Sequence, residues 1–570
     1  MTDLGLISVL PPLALLAFAI LGISFCLAWH QQELDPRALL AHVVALVFML
    51  YGAPALVEET PRFATTWRLA GIAEYVSRTG RVDPTLDAFH NWPGLFVLSA
   101  LVTQVAGLQS ALDLASWAPV FFNVLYLGPL AMILRSAARD DRLLWLGLWF
   151  FCLANWVGQD YLSPQGLNFF FYLVVLAILL RWFGLATAFA HPASRWLHRL
   201  GPLSFAARWL TGWLAAADVP ARPSRPWQRV GLIGVVVVLL AVSVSSHQLT
   251  PFFLLAALTA LVVADRVTPR GLPVLLAVMI GAWFSFMAAP YVSGHLSGLV
   301  GEFGRVAEIA DANVAARLQG SAEHLVVVRM RVVMSLALWG LAVVGAVGRV
   351  RRGHRDLTMV LLGATPFSLL ALQAYGGEMA IRVYLFALPP VLFFAGSLLY
   401  PAPTVRPSGR QAAAVALMSL ALLVGFLVAR YGNERMDHFT RQEVDAVDRL
   451  YAIAEPGSAL IAGHWNSPWM FRGYETYLYT DLDSLGKTII PNADVSALLH
   501  RAKELEEKRN RPVYLILTRS QEAAIDLMQG SAPGSLDRVE QAVLASGGFR
   551  VVFHNEDATI LVLARTEERR

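Results

Sequence analysis

The sequence has little charge and only two cysteines. Only 15% of its 570 residues are charged, whereas 56% are hydrophobic. The two cysteines, Cys26 and Cys152, both lie within apolar runs, which excludes a disulfide framework and a cysteine-based metal site. Basic residues are dispersed rather than gathered in a stripe with aromatics, so nucleic acid is not expected as a partner. There is also no P-loop, HExxH, GxSxG or CxxC motif.

Long apolar runs dominate what the sequence does contain. Its mean hydropathy is +0.54, and a soluble domain of this length could not bury so much apolar surface. Runs of about 17 to 25 residues match the thickness of a bilayer's hydrocarbon core. The first run lacks a basic n-region and a cleavage site, so it is interpreted as an anchor helix. The sequence predicts an α-helical polytopic membrane protein with about twelve transmembrane helices, at 8–29, 38–57, 119–135, 143–158, 166–182, 230–246, 251–264, 272–290, 326–348, 358–374, 383–400 and 411–429.

Arginine placement predicts the orientation of these helices. Alternate loops are rich in arginine, such as the loop that holds Arg135, Arg139 and Arg142, whereas the loops "GQDYLSPQ" and "SSHQLT" have no basic residue. The positive-inside rule places the arginine-rich loops in the cytoplasm. We therefore expect a multi-pass protein of the bacterial cytoplasmic membrane, with Asp160, His247 and the C-terminal tail on the extracytoplasmic side.

The predicted domains follow from this topology. Residues 1–430 form the transmembrane domain, which includes a long outer loop at 58–118 and a cytoplasmic loop at 183–229. Within the outer loop, the apolar segment 95–107 is too short to span comfortably and is interpreted as a juxtamembrane helix at the interface. Residues 431–570 are more charged and contain strand-like runs such as "PVYLILT" between helix-like segments. They predict a small extracytoplasmic α/β domain.

Two adjacent acids, Glu58 and Glu59, follow the second predicted span in the segment "YGAPALVEETPRF". Placing two carboxylates at the edge of the membrane costs free energy unless they are solvated or have a function. One interpretation is a helix end capped by polar residues at the headgroups. The other is a general base, because a carboxyl near a low-dielectric boundary has a raised pKa that suits removal of a proton from a hydroxyl.

Further polar residues fall on the same predicted side of the membrane. Each group has an ordinary structural interpretation. "HNWPG" would be a turn and "GQDYLSPQ" a solvated loop, and the histidine of "SSHQLTP" would be a hydrogen-bonded interfacial residue. Arg382 would be a snorkelling side chain or the partner of Glu378 in an i,i+4 helix pair. The functional interpretation is a single pocket in which arginine grips a lipid phosphate with its planar fork. The residues predicted to bind substrate are His90, Asn91, Trp92, Tyr161, Gln165, His247, Gln248, Glu378 and Arg382.

With these features the chain resembles the membrane-embedded glycosyltransferases of the GT-C superfamily. The similarity rests on "LVEETPRF", "HNWPGLFVLSALV" and "GQDYLSPQ", and covers roughly residues 38–430. "QDYLSPQ" and "SSHQLTPF" also resemble uncharacterised membrane proteins of actinobacteria. The GT-C resemblance implies a polyprenyl-phosphate sugar donor, with Glu58 or Glu59 as the first-loop acid, Asp160 as the second outer-loop acid and Arg382 at the donor phosphate. The extra span 8–29 and glutamate in place of aspartate in the first loop depart from the family pattern.

The resulting hypothesis is transfer of a sugar from this donor to a cell-envelope acceptor, with inversion. Glu58 or Glu59 would act as the base, and Asp160 would orient the acceptor or bind a divalent cation, Mg²⁺ or Mn²⁺. The alternatives are a transporter or flippase of a lipid-linked saccharide, a polysaccharide polymerase or ligase, and a non-catalytic anchor for the C-terminal domain.

Overall fold

The computed structural model describes residues 2, 4–185, 221–294, 319–370, 377–401, 406–531 and 533–564. Most of the predicted cytoplasmic loop 183–229 lies outside these residues, as does the end of the predicted span 358–374.

All twelve predicted spans coincide with helices. Seven described helices are long and apolar enough to cross a membrane: Pro12–His30, Ala118–Ala137, Pro164–Trp182, Pro226–Ser246, Ala322–Arg351, Met379–Leu399 and Gly409–Tyr431. The other predicted spans are shorter helices: Pro36–Tyr51 with Ala53–Val57, Asp141–Ala154, Thr250–Val263, Leu272–Phe286, and Leu357–Ala364 with Phe367–Leu370. The protein is thus a multi-pass membrane protein, and helix length varies more than apolar run length because turns interrupt the runs.

Two interruptions shape one end of the bundle. The span predicted at 38–57 breaks at Gly52, and Pro54 in the short second helix has no N–H to continue the first. The span predicted at 143–158 ends at Ala154, and residues 155–163 run as irregular backbone before the next helix. We call this the domain end of the bundle, because the C-terminal domain lies against it.

The helix Met379–Leu399 forms the centre of the bundle. Its side chains are almost all buried, and it packs against Ala322–Arg351 and Asp141–Ala154. Gly345 permits the closest of these contacts, since a Cβ there would lie 2.0 Å from the carbonyl oxygen of Phe394. Peripheral helices expose apolar residues such as Leu13 and Ile20, as expected for surface that meets lipid.

The first long loop lies between the bundle and the C-terminal domain. Its helices Ala64–Thr79 and Gly94–Ala106 pack against each other, and the short helices Ala88–Asn91 and Leu112–Ala115 flank the second of them. Gly94–Ala106 buries one face and exposes apolar residues such as Val105 on the other. That pattern agrees with the predicted juxtamembrane helix.

The C-terminal part contains a five-stranded sheet in the order β2-β1-β3-β5-β4. The strands are β1 Ala459–Ala462, β2 Leu478–Asp481, β3 Val513–Thr518, β4 Phe549–His554 and β5 Ala558–Leu563. β1 pairs in parallel with β2 and β3, whereas β5 runs antiparallel to β3 and β4. The accompanying helices are Glu434–Asp437, Arg441–Ile453, Leu482–Leu485, Ile489–Asn492, Val495–Arg509, Arg519–Ala524 and Ser535–Ala545, with a π-turn at Ile525–Gln529. The predicted small α/β domain is confirmed, and β2 is an addition that the apolar pattern did not reveal.

Candidate active site

A cavity of about 620 Å³ lies at the domain end of the bundle. We call it the arginine cavity, after Arg68, Arg331, Arg382 and Arg430, which line it. Its other walls come from the first loop, from the irregular segment after Ala154, and from the loop that follows Ser246. Its further lining residues are Phe63, Thr65, Ala88, Phe89, Trp92, Trp156, Val157, Gly158, Gln159, Tyr161, Ser163, Pro164, Gln165, Ser246, His247, Gln248, Tyr291, Glu378 and Asp437.

Gln165 reaches the cavity from the first turn of the helix Pro164–Trp182. The Ser163 hydroxyl caps this helix by accepting a hydrogen bond from the Gly166 amide at 3.0 Å, and the Tyr126 hydroxyl donates to the Gly166 carbonyl at 2.8 Å. The side chain of Gln165 is buried, yet both its amide oxygen and its amide nitrogen have no hydrogen-bond partner within the described residues. An unpaired buried amide in a cavity wall is suited to a polar ligand.

Arg382 and Glu378 lie at the start of the helix Met379–Leu399. The Arg382 Nη1 donates to the Glu378 carboxylate at 2.6 Å, so the i,i+4 pair expected from sequence is present. The two side chains differ in exposure, 7% for Arg382 and 42% for Glu378. The arginine therefore belongs to the cavity wall, while its partner is partly solvated.

His247 directly follows the helix Pro226–Ser246. Its Nδ1 accepts a hydrogen bond from the Thr250 amide at 3.0 Å, which leaves the proton of the neutral ring on Nε2. Burial, and to a smaller degree the charge of Arg382, lower the pKa of His247 to about 3. The imidazole is thus neutral at physiological pH and can donate a hydrogen bond without carrying charge.

Asp160 is buried and forms an ion pair with Arg430. Its carboxylate accepts a hydrogen bond from the Arg430 Nη2 at 2.7 Å and another from the side-chain amide of Asn123. The Arg430 guanidinium also stacks over the Tyr51 ring, 4.8 Å from its centroid. Asp160 does not itself line the cavity; it positions a residue that does.

The ligand set for a cation is incomplete at Asp160. Both carboxylate oxygens already accept hydrogen bonds, and a metal there would compete with Arg430. Across the described ranges, no group of three or more His, Cys, Asp or Glu side chains is arranged to hold a metal ion. The residues around Asp160 therefore do not fit the predicted Mg²⁺ or Mn²⁺.

Glu58 and Glu59 do not line the arginine cavity. The side chain of Glu58 is buried beside Glu434, which forms an ion pair with Arg62. The Oε2 of Glu58 lies 3.9 Å from the His438 Nδ1. Burial first, and the adjacent Glu434 carboxylate second, raise the pKa of Glu58 to about 10. Glu59 lines a separate cavity of about 690 Å³ that also includes Glu74, Asp113, Arg441 and Arg472. The structure thus does not place the two glutamates with Arg382 in one pocket.

The aromatic pair of Phe63 and Tyr161 stands between these cavities. Their ring centroids are 5.6 Å apart, and both residues also line a small gap that includes Glu58. Phe63 has a φ of +66°, which is strained for a bulky side chain.

The "HNWPG" segment divides between structure and site. His90 is buried and its Nδ1 accepts a hydrogen bond from the Asp83 amide at 3.1 Å, while Asn91 donates to the Pro84 carbonyl at 3.3 Å. These two residues hold the turn, as the structural interpretation of that segment expects. Trp92 lines the cavity and packs against Tyr291, with centroids 5.1 Å apart.

Glu58→Gln is expected to stabilise the protein at alkaline pH. An acid whose pKa is higher in the folded protein than its ordinary 4.5 binds more protons when folded, so the free energy of unfolding falls as pH rises from about 4.5 to about 10. The neutral amide removes this loss. Thermal unfolding in detergent should show the variant's Tm above that of the wild type by about 2 °C or more at pH 9, with the difference disappearing near pH 5. Glu59→Gln, at an exposed neighbour, is the matched control; equal curves for wild type and Glu58→Gln would contradict the expectation.

Four charged residues among the described lining of the cavity were not predicted from the sequence: Arg68, Arg331, Arg430 and Asp437. Arg430 stands at the end of the last apolar run, where an arginine ordinarily reaches the interface. Arg331 lies within a long apolar helix, and this charge at membrane depth was the signal that could have identified it.

The cavity is suited to an anion. Among the described lining residues, four arginines stand against two carboxylates, and the helices Pro164–Trp182 and Met379–Leu399 begin at the cavity wall. Helix N-termini carry a partial positive charge and unpaired amides, which favour phosphate.

Comparison with known proteins gives structural similarities only. No protein-family model and no curated protein matches the sequence. The chain is similar to the Archaeoglobus fulgidus oligosaccharyltransferase tethered with an acceptor peptide (13% identity, 88% of this chain and 71% of that chain, TM-score 0.48). It is also similar to ArnT from Cupriavidus metallidurans bound to undecaprenyl phosphate (11%, 93% and 99%, TM-score 0.45) and in the apo state (11%, 92% and 97%, TM-score 0.46).

Proposed function

We propose that the protein transfers a sugar from a polyprenyl-phosphate-linked donor to a cell-envelope acceptor, with inversion. The observation that carries this proposal is the arginine cavity, where Arg382, Arg430 and the unpaired amide of Gln165 lie together at the end of a helical membrane bundle. On this proposal the cavity opens on the extracytoplasmic face of the bacterial cytoplasmic membrane, in the orientation that the arginine-rich loops favour.

The lipid chain of the donor would approach along the first loop. Gly94–Ala106 exposes an apolar face, and Trp92, two residues before this helix, lines the cavity. A phosphate in the cavity could therefore be bound while its polyprenyl chain stays in contact with apolar surface. The flat ring of Trp92 is suited to the C–H face of the sugar.

Arg382 and His247 would stabilise the departing phosphate. As the bond between the anomeric carbon and the phosphate oxygen breaks, negative charge grows on that oxygen. A guanidinium and a neutral N–H donor that are already in position favour this charge without rearrangement. Asp160 contributes by holding Arg430 in the wall, and the assignment of the base to Glu58 or Glu59 stays a prediction from sequence.

The test is transfer by the purified protein in nanodiscs from a labelled polyprenyl-phosphate sugar to membrane-extracted acceptors. We expect a labelled product, release of polyprenyl phosphate, and inhibition by added polyprenyl phosphate. Two further probes each contain one part of the donor: inorganic phosphate has only the phosphate, and farnesyl alcohol has only a prenyl chain. Movement of the donor across the bilayer without transfer would contradict the proposal and favour a flippase; extension of a glycan in repeat units would indicate a polymerase.

A further inference from the structure

Asp437 lines the arginine cavity and has no role in the proposed transfer as described so far. It ends the short helix Glu434–Asp437, directly after the last long helix of the bundle. Only Glu378 and Asp437 supply carboxylates among the described lining residues. Glu378 is bound to Arg382, whereas the side chain of Asp437 accepts no hydrogen bond from any described residue.

The backbone around Asp437 is held from two sides. Its carbonyl accepts a hydrogen bond from the Phe63 amide of the first loop at 3.1 Å, and the carbonyl of Met436 accepts one from Asn466 of the C-terminal domain at 2.6 Å. A side chain without a partner on a firmly held backbone is an arrangement suited to a reacting group.

Charged groups surround Asp437 from each neighbouring element. Glu434 comes from its own helix, Arg62 and Glu58 from the first loop, and Arg331 from the helix Ala322–Arg351. His438 follows it in the chain. Burial first and Glu434 second raise the pKa of Asp437 to about 7, against the opposing charges of Arg62 and Arg331. The carboxylate of Asp437 is therefore more basic than that of an ordinary aspartate.

We infer that Asp437 is the general base of the transfer, and this inference rests on the proposed function. Its carboxylate takes the proton of the acceptor hydroxyl as that oxygen forms a bond to the anomeric carbon. The bond from this carbon to the phosphate oxygen breaks, and its electron pair leaves with the polyprenyl phosphate beside Arg382. The proton stays on Asp437 until the product departs and is then released to water.

Glu58 is less suited to this step. Its raised pKa of about 10 keeps it protonated at neutral pH, so it is not in the carboxylate form that accepts a proton, and it does not line the arginine cavity. Glu58 and Asp437 nevertheless influence each other electrostatically, which makes the two variants a direct comparison.

The experiment compares kcat, donor affinity and the pH profile in nanodiscs. Asp437→Asn should lower kcat by about 100-fold or more while binding of the labelled donor changes less than threefold. Wild-type kcat should rise with pH through about 7, because the deprotonated form is active, and Asp437→Glu should recover part of the rate with a displaced midpoint. Glu58→Gln should lower kcat less than Asp437→Asn does, and a larger loss in Glu58→Gln would contradict the assignment of the base to Asp437. Asp445→Asn, the same change at an exposed acid of the next helix, is the matched control.

The outcomes separate the two proposals. Transfer by the wild type together with near wild-type kcat in Asp437→Asn would overturn the role of Asp437 and leave the transferase proposal standing. No transfer by the wild type would overturn both. If Asp437→Asn does not fold, the pH profile of Asp437→Glu decides: a displaced midpoint supports the role, and an unchanged midpoint overturns it.

Discussion

Replacing Asp160 with alanine is expected to lower the free energy of unfolding by about 3–5 kcal/mol. Asp160 and Arg430 are both buried and joined at 2.7 Å, so the substitution leaves the guanidinium charge without its carboxylate. Desolvation of a lone charge costs far more than an exposed ion pair contributes. The expected result is a large drop in Tm and in the yield of monodisperse protein, measured by thermal unfolding and size-exclusion chromatography in detergent.

The surface pair of Arg135 and Asp141 provides the control for this prediction. Its ions are 3.2 Å apart and more than half exposed, so Asp141→Ala should cost no more than about 1 kcal/mol. Removing both partners of the buried pair, in Asp160→Asn with Arg430→Gln, should be milder than Asp160→Ala because no charge is left unpaired. Equal Tm values for Asp160→Ala and Asp141→Ala would show that Asp160 is not a buried ionic partner.

Replacing Arg382 with alanine is expected to lower kcat/KM for the labelled donor by about 100-fold or more. The guanidinium is buried in the cavity wall and is assigned to the departing phosphate, whereas its partner Glu378 is 42% exposed and stays solvated when the arginine is removed. Stability should therefore change little. Arg382→Lys should fall between the two, since an ammonium keeps the charge but loses the planar fork. Steady-state kinetics with a polyprenyl-phosphate sugar measure this effect.

The matched control is Arg351→Ala. Arg351 is exposed and lies 20 residues after Arg331 in the helix Ala322–Arg351, which places it about 30 Å from the cavity along the helix axis. We expect its kcat/KM to match the wild type. A similar loss in both variants would indicate a general effect of lost positive charge, and unchanged kinetics in Arg382→Ala would remove the phosphate role of this residue.

Sequence patterns predicted the helices well because apolar length is a local property. Within the described residues, each of the twelve apolar runs coincides with helix. The errors lie at the ends. The run 143–158 stays apolar to its last residues, yet the helix stops at Ala154 because residues 155–163 turn to form the cavity wall.

The candidate site was predicted in part. Seven of the predicted substrate-binding residues line one cavity: Trp92, Tyr161, Gln165, His247, Gln248, Glu378 and Arg382. The concentration of polar residues at one end of the helices thus indicated the position of this cavity. His90 and Asn91 do not line the cavity; the His90 Nδ1 and the Asn91 side-chain N–H bond to nearby backbone of a turn instead. Glu58 and Glu59 have the residue type expected of a base, but they line a second cavity and not the arginine cavity.

The sequence by itself determined that this protein is a helical membrane protein with a small α/β domain, because runs of apolar residues report burial in lipid wherever they occur. Only the tertiary structure decided which charges meet. Asp160 and Arg430 are 270 residues apart in the chain, and Asp437 and Arg382 reach the same cavity from different elements. Pairing of buried charges depends on distances of a few ångströms between remote segments, and hydropathy along a single chain contains no record of those distances.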